Sequence, residues 1–141
     1  MLCSAAPRAI FSSLSTFLPN FLPSHLATEQ SKRNLVPNIQ LFEKKADFLA
    51  QLDQFDSIVV AYEESAKEGE AAAFLQAVAG LEKGAKLLFI FGPEGGLSPA
   101  EIESFEAKGA VLAGLGPLIL RAETAPLYAL SAISVLLELE K

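Results

Sequence analysis

Two stretches of the sequence gather the residue types that chemistry needs. The first reads Gly92-Pro93-Glu94-Gly95-Gly96-Leu97-Ser98-Pro99. Its three glycines allow close backbone approach, so the loop can offer bare N–H and C=O groups to a flat ligand. It does not resemble a phosphate cradle. Neither Gly-x-x-x-x-Gly-Lys-Ser/Thr nor Gly-x-Gly-x-x-Gly occurs in the chain, and the Glu94 carboxylate would repel phosphate. A cationic or neutral ligand suits the loop better; the alternative is a tight strand-to-helix turn with an acid on its surface.

The second stretch, Gly114-Leu115-Gly116-Pro117-Leu118-Ile119-Leu120-Arg121-Ala122-Glu123-Thr124-Ala125-Pro126, sets apolar side chains among glycines ahead of a charged pair. Leu115, Ile119 and Leu120 can wall a pocket with Arg121 and Glu123 at its edge. In the alternative, Arg121 and Glu123 form a solvated ion pair worth ~0–1 kcal/mol. Glu123 or Thr124 would then serve only the N-terminus of the helix that follows. Histidine, the usual general base, is available to neither loop, because the single one, His25, lies far upstream and is read as incidental.

Both loops must be held by regular elements, and the pattern after Glu29 supplies them. Short apolar or β-branched runs alternate with helical stretches of ten or more residues, which predicts an α/β fold with a parallel sheet. Strands are expected near Ile39–Phe42, Ser57–Ala61, Lys86–Phe91 and Ala110–Leu112, and helices near Glu43–Gln54, Glu70–Leu81, Pro99–Lys108 and Thr124–Leu139. Each glycine loop therefore follows a strand, at the carboxyl edge where open α/β sheets bind ligands. Ser98-Pro99-Ala100-Glu101 marks a helix start with a cap, a first-turn proline and a capping-box carboxylate, and Gly109 marks the stop. The last helix is apolar on more than one face, which favours a homodimer interface over a central helix of one core.

Composition bounds the function. The 141 residues carry a net charge of −6 and are 51% hydrophobic, as expected of one globular domain. One cysteine, Cys3, cannot build a disulfide framework, and no apolar run reaches the ~18–20 residues of a membrane span, so a soluble protein of the cytoplasm is expected, with no membrane partner. No metal site is expected. All 17 acids follow residue 28, and the chain lacks the basic excess by which most nucleic-acid binders neutralise phosphates. Residues 1–28 hold one base, Arg8, with five Ser, two Thr and three Pro, and read as an unstructured or non-native leader. A transit peptide is the alternative, although one Arg is few for that.

The segments Phe91-Gly92-Pro93-Glu94-Gly95-Gly96-Leu97-Ser98 and Leu115-Gly116-Pro117-Leu118-Ile119-Leu120-Arg121-Ala122-Glu123-Thr124-Ala125 together resemble the C-terminal signature of the RsmE family. Its members are 16S ribosomal RNA uracil-N3 methyltransferases of the SPOUT, or α/β-knot, class. Glu29-Gln30-Ser31-Lys32-Arg33-Asn34-Leu35-Val36-Pro37 and Ala61-Tyr62-Glu63 are similar to further family segments, so the resemblance spans about residues 29–141. It implies a SPOUT-type α/β knot, a deep trefoil knot around a parallel sheet core, in a homodimer that uses S-adenosyl-L-methionine. Cofactor-binding positions carried over are Gly92, Pro93, Glu94, Gly95, Gly96, Leu115, Gly116, Ile119, Leu120, Arg121, Glu123, Thr124 and Ala125. Methylation at N3 requires loss of an imide proton, so Arg121 is expected to stabilise the uracil anion and Glu94 or Glu123 to accept or orient the proton.

Two departures from the family pattern are visible. Leu118 stands where the family usually carries Arg, which removes a cation from the signature loop. Residues 1–28 match neither the PUA-like RNA-binding barrel nor the first catalytic strand of full-length relatives, so residues 29–141 are expected to be a partial SPOUT domain that holds the 16S rRNA or small ribosomal subunit weakly. The alternative is an inactive, truncated knot domain that dimerises or binds cofactor without methylating RNA. A flavodoxin-like nucleotide binder is a third reading, supported only by the α/β alternation.

Overall fold

The computed structural model describes residues 29–30, 32, 40, 42–62, 71–82, 84–116 and 119–139. In chain order the elements are α1 (Lys45–Gln51) with a 3-10 turn (Leu52–Gln54), β1 (Ser57–Ala61), α2 (Ala71–Ala79), β2 (Leu87–Phe91), α3 (Pro99–Glu106), β3 (Val111–Ala113), and α4 (Thr124–Ser134) continued by a π-helical turn (Val135–Leu139). The strands form a parallel sheet in the order β2-β1-β3.

Strands buried on both faces explain the unbroken apolar runs Ile58-Val59-Val60 and Leu87-Leu88-Phe89-Ile90. Alternate residues point to opposite sides. Ile58, Val60, Leu88 and Ile90 pack with Phe48 of α1, Leu52, and Ile102 and Phe105 of α3. Val59, Leu87, Phe89 and Ala113 pack with Phe74 and Val78 of α2 and Ala129 of α4. Leu52, Val59, Val60, Val78, Leu88 and Ile90 are fully buried, each side chain contributing ~1.5–3 kcal/mol. Thus α2 crosses one face between β1 and β2, and α3 crosses the other between β2 and β3.

The expected strand at Ser57–Ala61 is present as predicted, and hydrogen bonds at their starts shift two others by a residue. The Lys86 N–H donates to the Asp56 carboxylate at 2.7 Å, which leaves Leu87 as the first residue of β2. At the end of α3, the Gly109 N–H donates to Glu106 O (2.8 Å) and the Ala110 N–H to Phe105 O (3.1 Å). This Schellman stop, with Gly109 at φ 80°, ends the helix before Lys108 and delays β3 to Val111. The expected Glu43–Gln54 helix starts only at Lys45, since Lys44 at the N-cap offers no side-chain acceptor, and tightens at Leu52. The Phe55 N–H then reaches Leu52 O at 3.1 Å, turning the chain toward β1.

Of the expected strand at Ile39–Phe42, Ile39 and Leu41 lie outside the described residues and Gln40 and Phe42 are not in a strand; residues 1–28, 117 and 118 also lie outside the described residues. Among the described residues no helix is long and apolar enough to cross a membrane. The last helix is neither central nor wholly covered. Ala125 and Ala129 are buried, whereas Leu127 is 64% exposed and Val135 46%.

Candidate functional site

The sheet register places both glycine loops on one edge. Ala61 pairs with Phe91 and with Ala113, so the chain leaves β1, β2 and β3 at the same level, at Tyr62, Gly92 and Gly114. Because β1 lies between the other two strands, Gly92 and Gly114 start roughly 10 Å apart, two strand spacings. The Tyr62 N–H donates to the Ala113 carbonyl at 3.1 Å and ties the middle loop to the second. The connections from β1 and β2 turn to opposite faces, which opens a crevice at their carboxyl ends.

The first loop is tightly wound. The Gly96 N–H donates to the Pro93 carbonyl at 2.8 Å, and the chain folds back until a Cβ on Gly92 would meet Leu97 Cγ at 3.1 Å and its backbone N at 3.3 Å. At Gly95 and Gly96, by contrast, an added Cβ meets nothing within 4 Å, so these two glycines leave open space in front of bare backbone. Pro93 and Glu94 are exposed, and Glu94 has no hydrogen bond or ion pair among the described residues. The following helix is anchored as expected: the Glu101 carboxylate accepts from the Ser98 N–H (2.8 Å) and hydroxyl (2.7 Å). These bonds, the backbone one foremost, hold the Glu101 carboxyl below its usual pKa of 4.5.

The second loop combines cover and charge. Leu115 and Leu120 are half-buried, Ile119 is 75% exposed, and Ala125 is buried at the start of α4. Gly116 adopts φ 127°, a conformation closed to other residues, and the Tyr128 hydroxyl stands 3.7 Å from where its Cβ would be. Arg121 and Glu123 form an ion pair at 4.0 Å, with the Arg121 side chain 84% exposed. Their contact fits the solvated pair, and Glu123 at the N-cap makes no side-chain cap bond. The Arg121 carbonyl caps the helix instead, accepting from the Thr124 N–H (2.9 Å) and the Ala125 N–H (3.0 Å). Glu94 and Arg121 lie on the same sheet edge but share no ion pair among the described residues.

Sequence reasoning missed Tyr128. Its signal was only helical spacing, four residues after Thr124, which puts it over the turn next to the loop. Phe91, which stacks on Phe89 with ring centroids 4.7 Å apart, also supports this edge from the α2 side of the sheet.

A match to the family described as RNA methyltransferase domain covers residues 24–134. Ribosomal RNA small subunit methyltransferase E of Bacillus subtilis (strain 168) is 54% identical over 113 residues, covering 80% of this chain and 44% of that protein. The chain belongs to the RsmE family of RNA methyltransferases. It spans less than half the length of that Bacillus member. Two solved structures resembling it are a probable rRNA-methyltransferase from Porphyromonas gingivalis (TM-score 0.69, 28% identity, 84% of this chain and 48% of that one) and an RsmE from Neisseria gonorrhoeae bound to S-adenosyl methionine (TM-score 0.57, 28% identity, 79% and 44%).

Proposed function

We propose that this RsmE-family chain holds S-adenosylmethionine along the carboxyl edge of its sheet and directs methyl transfer to uracil N3 in 16S rRNA of the small ribosomal subunit, in the cytoplasm. The observation that carries the reading is the common register of Ala61, Phe91 and Ala113, which brings both signature loops to one crevice. The loops suit the cofactor: Gly95 and Gly96 leave open space before backbone donors and acceptors, and Leu115 and Leu120 offer apolar cover for a nucleoside. When bound, S-adenosylmethionine supplies an electrophilic methyl group on a sulfonium. Its positive charges match the Glu94 carboxylate, which no cation among the described residues neutralises.

The remaining work falls to side chains of the loops. Arg121, exposed at the rim, stabilises negative charge on uracil as the N3 proton leaves. Glu94 or Glu123 accepts or orients that proton. The threaded knot belongs to the same reading, as does a homodimer in which a second copy covers the Leu127 and Val135 stripe of α4.

Calorimetric titration with S-adenosylmethionine tests the cofactor site. Heat of binding is expected from the unaltered chain and none from Glu94→Lys; equal heats from both would remove the loop from the site. A labelled-methyl assay on undermodified small subunits then separates an active enzyme from a knot domain that binds cofactor without transfer.

A further inference from the structure

We propose that the Tyr128 hydroxyl is an additional cofactor-binding group, hydrogen-bonding to S-adenosylmethionine held at the second loop; this rests on the cofactor site argued above. Tyr128 lies one turn after Thr124 on α4, and its hydroxyl stands 3.7 Å from the Cβ position of Gly116. That position has no side chain, and φ 127° keeps it so. The hydroxyl thus overlies a stretch of bare backbone within the signature loop. Tyr128 is 49% exposed and has no hydrogen-bond partner among the described residues.

A phenylalanine would cover Gly116 equally well. The hydroxyl adds nothing to apolar packing, and once a ligand displaces the water around it, it needs a polar partner. Tyr128 lies seven residues before Val135, on the same side of the helix, so its ring adjoins the apolar stripe assigned to the second copy while its hydroxyl stands over Gly116. A nucleoside carries hydroxyls and ring nitrogens that can supply the missing partner.

The test is calorimetric titration of the full chain with S-adenosylmethionine and, separately, S-adenosylhomocysteine. Tyr128→Phe removes the hydroxyl alone, and both ligands should bind about three- to tenfold more weakly, the effect of one hydrogen bond, at an unchanged melting temperature. Wild-type affinity in Tyr128→Phe overturns the proposal. If Tyr128→Ala then weakens binding, the ring merely packs against the loop. A variant that keeps cofactor affinity and raises only the KM for RNA also overturns it, in favour of a substrate contact. If the unaltered chain binds neither ligand, the cofactor site itself falls and this assignment with it.

Discussion

At the scale of single residues, the proposed chemistry of the second loop turns on Arg121, which is exposed beside Glu123. Replacing Arg121 by Ala removes the charge proposed to meet a developing uracil anion. Methyl transfer should fall by about 10²–10³-fold at saturating RNA, as for the loss of one donor to an oxyanion, while the melting temperature holds because the side chain is 84% exposed. Unchanged turnover would take Arg121 out of the chemistry. Glu101 has a different character: it fixes the end of the first loop and the start of α3 through two bonds to Ser98. Glu101→Gln should cost about 1 kcal/mol at neutral pH, read from urea unfolding. The Glu101 pKa is lowered in the folded state, so its stabilisation is present above the unfolded value near 4.5 and fades as pH falls through the lower folded value. The stability difference between the Glu101→Gln variant and the unaltered chain should therefore shrink below about pH 4.5; a constant difference would show that the bonds to Ser98 act independently of charge.

The elements matter here through what they hold at their ends. The strand-to-helix passage from β2 to α3 is closed by one turn bond, Gly96 to Pro93, and by the approach of Gly92 to Leu97. A methyl group at position 92 would press on the Leu97 side chain at 3.1 Å and on backbone at 3.3 Å, and the backbone cannot move without reshaping the loop. Gly92→Ala should cost about 1–3 kcal/mol of stability and lower S-adenosylmethionine affinity further, measured by urea midpoint and calorimetry. An unshifted midpoint would mean that the loop yields freely. The other elements act as buttresses: α1 and α3 on one face, α2 and α4 on the other. The Lys108 ammonium, 2.9 Å from both Asp53 oxygens, joins the end of α3 to the 3-10 turn, though an exposed pair adds only ~0–1 kcal/mol.

For the whole molecule, the question of assembly reduces to one stripe. Leu127 of α4 and Val135 of the π-helical turn that continues it are both exposed in the single chain. A charge there disturbs no buried contact, so Leu127→Asp should convert a dimer to a monomer in sedimentation analysis with secondary structure retained; an unaltered mass would place any interface elsewhere. Local chemistry made much of the molecule legible from the amino acids alone. The capping box at Ser98 and Glu101 and the stop at Gly109 depend on interactions spanning a few residues, and the alternation of apolar runs with helical stretches marks the strands and the loops that follow them, so sequence patterns record these. What needed the tertiary structure depends on distant partners. Residues 61, 91 and 113 are not adjacent in the sequence, and only strand pairing makes them level. The grip of Asp56 on Lys86, thirty residues away, fixes where β2 begins. Tyr128 gained a role only when α4 was docked beside Gly116, because a hydroxyl's meaning is set by what stands within hydrogen-bonding reach of it, and folding decides that.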